Sequence, residues 1–195
     1  MKEPLGLILA GGRATRMGGG DKGLLPLGYD TILGHVIARL APQVAALALS
    51  ANGQPARLAH FALPVLPDSL PGHLGPLAGI LAGLDWAEAQ GADHIVSAAA
   101  DTPFLPCDLV PQLILAAESN GSALAIAATA DGPQPTFGLW PVALRQDLRA
   151  ALEAGQRKVS GWADAQGAAR AHFADPAAFF NVNTPDDLAR ARAML

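Results

Sequence analysis

The chain has 195 residues, 51% of them hydrophobic but only 5% aromatic, so a single domain over residues 1–195 with a core of Leu, Ala, Val and Ile is expected. A formal net charge of −4 argues against non-specific nucleic-acid binding, and no apolar run is long enough to span a membrane. Cys107 stands alone and the N-terminus carries Glu3 with only a short apolar segment, which excludes a disulfide framework and a signal peptide and predicts a cytoplasmic protein.

The first element is the apolar run Leu5 to Leu9, a buried strand by its composition. It stops at Gly11-Gly12, and the loop beyond carries three cations, Arg13, Arg16 and Lys22, against one acid, Asp21. Glycines let the backbone bring its N–H groups close to an anion, and long cations add full charges. Such a loop at the carboxyl end of a parallel strand is where α/β proteins bind phosphorylated ligands. Two familiar phosphate motifs do not apply. Gly20-Asp21-Lys22-Gly23 breaks the P-loop pattern, because Asp21 intervenes and no hydroxyl follows Lys22. Gly18 to Gly23 matches G-x-G-x-x-G in letters but lies far past the strand, and Pro26 argues against a helix opening there.

Thr31 is placed to cap a helix from Ile32 to about Leu40, with Pro42 ending it. Val44 to Leu49 reads as the second strand and delivers Asn52 to the same edge as the first loop. There its amide could face a base or ribose, or simply make a turn. Leu63 to Leu66 forms a short third strand ending at Pro67-Asp68. Pro76 opens a helix to about Ala89, its start at Gly75 presenting free N–H groups to an anion and its Gly79 and Gly83 allowing close packing or close ligand approach. His94 to Ala100 is unbroken and apolar, hence central, and ends in Asp101-Thr102-Pro103. The five histidines are scattered without metal-ligand spacing, which speaks against zinc. A carboxylate at the tip of a central strand suits magnesium, which takes one or two carboxylates together with substrate phosphates and waters. Between Arg57 and Arg145 there is no Lys or Arg, so a polyanionic substrate would rely on the opening loop, on Arg157-Lys158 and on a metal at Asp101.

A helix over Asp108 to Ser119, a strand over Ala123 to Thr129 and a returning, antiparallel strand over Gln134 to Trp140 follow. Val142 to Ala154 is helical and closed by Gly155, a short helix contains Trp162, and Ala168 to Phe173 makes an edge strand. Thr184 and Pro185 start a terminal helix with acids in its first turn. That cap does not explain Asn181 and Asn183 flanking Val182. The alternation predicts a three-layer α/β domain, mostly parallel with an antiparallel portion.

The opening loop resembles the nucleotidyltransferase signature L-A-G-G-x-x-x-R-M-G-x-x-K. Within that class Leu9-Ala10-Gly11-Gly12, Arg16-Met17-Gly18-Gly19 and Asp21 to Leu25 look most like the molybdenum cofactor guanylyltransferases. The likeness continues in order through Ser50-Ala51-Asn52, Asp68-Ser69, Gly75 to Gly79, Asp101-Thr102-Pro103, Gln134 to Phe137, Gly155 to Val159 and Asn181 to Leu188. It implies a Rossmann-like nucleotidyltransferase fold that joins GMP from GTP to molybdenum-molybdopterin, releasing pyrophosphate, with Mg2+ on Asp101. GTP would be held by Leu9, Ala10, Gly11, Gly12, Lys22, Asn52, Asp68 and Asp101, with Arg16, Lys22 and Asp101 in catalysis. Molybdopterin would lie against Gly75, Gly79, Arg157, Lys158, Asn181 and Asn183. Transient contacts with cofactor insertion proteins and molybdoenzyme chaperones are implied as well. Ala100 departs from relatives that have Cys there, and Gly20 is a second departure. A cytidylyl- or sugar-1-phosphate nucleotidyltransferase and a non-catalytic GTP-binding regulator remain the alternatives.

Overall fold

The computed structural model describes residues 2–11, 21–72 and 74–195. Strands β1 (Leu5–Leu9), β4 (Leu47–Ser50), β5 (Val65–Leu66), β6 (His94–Ala99), β7 (Ala125–Thr129), β8 (Gly132–Pro141) and β9 (Ala169–His172) form one sheet. Their order is β5-β4-β1-β6-β8-β7-β9. β8 runs antiparallel to both β6 and β7, and the other pairings are parallel. β6 takes the fourth of seven places, as its continuous apolar character predicts. A separate hairpin, β2 (Pro26–Leu27) with β3 (Asp30–Thr31), turns through Gly28 at φ +63°. That hairpin has no counterpart in the sequence reading.

Alternation along β1 sends neighbouring side chains to opposite faces of the sheet. Ile8 packs with Leu33, Val36 and Leu40 of α1 (Ile32–Leu40) and with Leu109 and Leu113 of α3 (Leu109–Ser119). Leu7 packs with Leu77, Leu81 and Leu84 of α2 (Pro76–Ala89), and the same cluster takes in Leu148 of α4 (Arg145–Glu153) and Trp162 of α5 (Val159–Ala165). These two clusters make the three layers. A third joins Leu27 and Ile32 to Val182 and to Leu188 and Ala191 of α6 (Pro185–Ala193).

The helix starts follow their capping residues. Thr31 Oγ1 accepts the Gly34 N–H at 3.0 Å. At α6 the Thr184 hydroxyl accepts the Asp187 N–H at 3.1 Å while Asp187 accepts the Thr184 N–H at 2.9 Å, a reciprocal capping box. Several predicted bounds shift for local reasons. β4 starts at Leu47 rather than Val44, although Val44 is already extended and the Ala45 N–H and Ala46 carbonyl bond to Pro4 and Gly6. β5 shrinks to Val65–Leu66, since Pro64 and Pro67 on either side have no N–H to give to a ladder. The first turn of the predicted 142–154 helix is a separate 3-10 turn, Val142–Leu144, and α4 begins at Arg145.

α2 is buried on nearly every side and approaches the sheet through glycine. A Cβ on Gly79 would come within 2.6 Å of Ser50 Oγ and 2.8 Å of Leu9 Cδ2; one on Gly83 would meet Leu7 Cδ2 at 2.6 Å and Ile95 Cδ1 at 2.9 Å. Packing therefore explains both residues. Gly83→Val should destabilise the fold by about 1–3 kcal/mol through overpacking, measured by urea unfolding, although glycine is itself a poor helix former. Unchanged stability would mean that α2 does not sit this close.

Candidate active site

The chain passes from β1 to β4 and β5 on one side and then returns to β6 on the other. A crevice opens beyond the carboxyl ends of the strands at such a switch point. Here it is a cavity of about 610 Å³. β1 contributes Leu9 and, just past it, Ala10 and Gly11; Asn52 follows β4, Asp68 follows β5, and Asp101 follows β6. The amino end of α2 reaches the wall at Gly75 and Gly79, and Lys22, Thr136, Asn181 and Asn183 also line it. Gly75 adopts φ +79°, where a side chain would be strained even though a Cβ would meet nothing within 4 Å. The helix amino end brings its partial positive charge to the cavity.

Lys22, Asp101 and Asn183 converge. The Lys22 ammonium lies 2.5 Å from Asp101 Oδ2 and donates to Asn183 Oδ1 at 2.7 Å. Both charged side chains are about a fifth exposed (20% and 23%), so the pair faces the cavity without being open to bulk solvent. The Asp101 carbonyl accepts the Val182 N–H at 2.9 Å, and the buried Thr102 hydroxyl donates to Asn181 Oδ1 at 2.7 Å. Val182 is buried between two exposed asparagines: the valine packs against α6 while both asparagines reach the cavity wall. This is the reason for the Asn-Val-Asn pattern that the helix cap alone leaves unexplained.

Across β4 and β5, Asn52 and Asp68 hold one another. Asn52 Nδ2 donates to Asp68 Oδ2 at 2.7 Å, and the Asp68 N–H donates to Asn52 Oδ1 at 2.9 Å. The Asn52 amide expected at a base or ribose is thus also the support of Asp68.

The sequence names Thr102 only within a motif and Arg57 only as the edge of the cation-free stretch, and gives neither a role. Arg57 pairs with Asp21, the residue before Lys22, and Thr102 holds Asn181. Thr102 had a signal in standing next to Asp101; Arg57 had none. Gly12 and Arg16 lie outside the described residues. Arg157 and Lys158, expected on the molybdopterin side, are not brought to the cavity. Both are exposed, and the Arg157 guanidinium donates to the carbonyls of Leu152 at 2.8 Å and Gln156 at 2.6 Å, closing the end of α4.

Among the described residues no group of three or more His, Cys, Asp or Glu gathers to cage a metal. Asp101 offers a cavity-facing carboxylate, a donor set that fits a hard cation completing its shell with phosphate and water.

The MobA-like NTP transferase domain matches residues 6–169. A Cereibacter sphaeroides molybdenum cofactor guanylyltransferase is 54% identical over 97% of this chain and 96% of its own. Molybdopterin-guanine dinucleotide biosynthesis protein A from Archaeoglobus fulgidus superposes with a TM-score of 0.77 at 24% identity, covering 97% of each chain. A Mycobacterium tuberculosis protein solved in complex with manganese gives 0.68 at 20% identity over 100% of each chain, a likeness of fold. Fold and cavity thus define an enzyme of the nucleotidyltransferase class. Within it, the chain belongs to the molybdenum cofactor guanylyltransferase family.

The Thr102–Asn181 contact is open to test. Thr102→Val should cost about 0.5–1.5 kcal/mol in urea unfolding by removing one intramolecular hydrogen bond, and Thr102→Ser should restore most of it. Equal stability of all three proteins would contradict the assigned hydrogen bond.

Proposed function

We propose that the protein transfers GMP from GTP to the terminal phosphate of molybdenum-molybdopterin, forming molybdopterin guanine dinucleotide and pyrophosphate. The observation that carries this reading is the meeting of Lys22 and Asp101 at 2.5 Å on the wall of a cavity bounded by the carboxyl ends of β1, β4, β5 and β6. The attacking group is a phosphate oxygen that is already ionised, so the reaction needs no general base. Alignment and charge stabilisation suffice.

GTP would lie along Leu9, Ala10, Gly11 and Gly12, with Asn52 and Asp68 beyond the carboxyl ends of β4 and β5. Asp101 would hold Mg2+, which supplies Lewis-acid activation of the α-phosphate. Lys22, with Arg16, would neutralise the departing pyrophosphate, and Asn183 would orient the Lys22 ammonium. Asn181, Asn183 and the Gly75–Gly79 end of α2 would receive molybdopterin. The same proposal includes a cytoplasmic setting and transfer of the product to cofactor insertion proteins and molybdoenzyme chaperones. No helix among the described residues is long and apolar enough to cross a membrane.

The test is incubation of the pure protein with GTP, Mg2+ and molybdenum-loaded molybdopterin, followed by mass analysis of the product. The dinucleotide is expected with GTP and not with CTP; GTP binding without pyrophosphate release would point to a regulator instead. Asp101→Ala should abolish turnover. Lys22→Ala should weaken GTP binding and slow transfer together by about 100-fold or more. Full activity of Asp101→Ala with Mg2+ would reject the assignment.

A further inference from the structure

Asp68 reaches the cavity from the segment between β5 and α2, and a cluster outside the cavity holds its neighbour. Ser69 donates its hydroxyl to Asp85 Oδ2 at 2.5 Å. Asp85 stands on α2, the helix whose glycines seat it directly on the sheet. Its carboxylate also takes Arg145 Nη1 on Oδ1 at 2.9 Å and Arg149 Nη2 on both oxygens, at 3.2 and 2.9 Å. Arg145 and Arg149 are one helical turn apart on α4, so both guanidiniums reach a single carboxylate. Burial opposes ionisation of Asp85, but the hydrogen bonds from Ser69 and Arg145 and the charge of Arg149 outweigh it and hold its pKa below the usual carboxylate range.

Two arginines would suffice to join α2 to α4. The third partner, Ser69, adds no link between helices; it fixes the residue directly after Asp68. Asp68 is then held from two directions, by the Asn52 amide across the sheet edge and through the backbone from Ser69. A carboxylate that must meet a ligand in one orientation gains from such support, because ordering it beforehand removes an entropic cost of binding.

We propose that Asp85, acting through Ser69, is a positioning residue for nucleotide binding: it sets the orientation in which Asp68 meets GTP. This rests on the reading of Asp68 as a GTP-binding residue. Loss of the tether acts on affinity and not on the chemical step, because neither Asp85 nor Ser69 lines the cavity.

The experiment measures GTP·Mg2+ affinity by calorimetry, KM and kcat by pyrophosphate release, and the melting temperature of each variant. Ser69→Ala should raise the dissociation constant and KM for GTP roughly 3- to 10-fold, with kcat and melting temperature unchanged, and Ser69→Thr should restore the affinity. Arg145→Gln, which removes the Glu88 contact and one Asp85 contact but leaves Ser69 in place, should lower the melting temperature with KM unchanged. Asp85→Ala should show both effects, and adding Ser69→Ala to it should raise KM no further. Asp68→Ala separates the two levels of the argument. If it raises the dissociation constant while Ser69→Ala does not, the tether is wrong and the GTP reading of Asp68 stands. If Asp68→Ala leaves the constant unchanged, both fall.

Discussion

The ion pair between Lys22 and Asp101 is the constraint on which the site depends. Asp101 follows the central strand, Lys22 follows the opening loop, and Asn183 precedes the last helix; the Lys22 ammonium touches the Asp101 and Asn183 side chains at once. The Asp101 carbonyl meanwhile binds the Val182 N–H. A single residue at the sheet edge therefore ties together parts of the chain that are far apart in sequence. The apolar cluster of Leu27, Ile32, Val182, Leu188 and Ala191 supports the same junction from behind, so α6 is part of the site's framework.

Charge is distributed economically around this junction. The long stretch without Lys or Arg supplies Asp68, Asp101 and the amino end of α2 to the cavity, and Lys22 is the one cation on its wall among the described residues. Arg57 is committed to Asp21, and Arg145 and Arg149 to Asp85. Among the described residues, an anionic ligand in the cavity would meet the Lys22 ammonium and the amino end of α2. The close seating of α2 through Gly79 and Gly83 brings that helix end to the crevice, which links a packing requirement of the core to the electrostatics of the site.

Much of this was legible in the residues themselves. β1, α1, α2 and the α6 cap follow from apolar runs bounded by Gly, Thr and Pro, because local chemistry decides such boundaries. Asp101 was legible as a carboxylate at the tip of an apolar strand, and Asn181 and Asn183 as polar residues that a cap does not require. What was not legible depended on the third dimension. The sequence offers Arg157-Lys158 as a second cation cluster, but Arg157 spends its guanidinium on the carbonyls of Leu152, in the last turn of α4, and of Gln156 just beyond it. The partners of Asp21 and Asp68 lie 36 and 16 residues away, those of Asp85 lie 16, 60 and 64 residues away, and nothing in the pattern of letters announces them. The β2–β3 hairpin was missed because two-residue strands are too short to show a period.

The most direct test of the central claim is a crystal structure with GTP and Mn2+ bound, the metal located by its anomalous scattering. The account predicts manganese against the Asp101 carboxylate and the triphosphate within hydrogen-bond reach of Lys22. A triphosphate and metal lying away from both residues would contradict it.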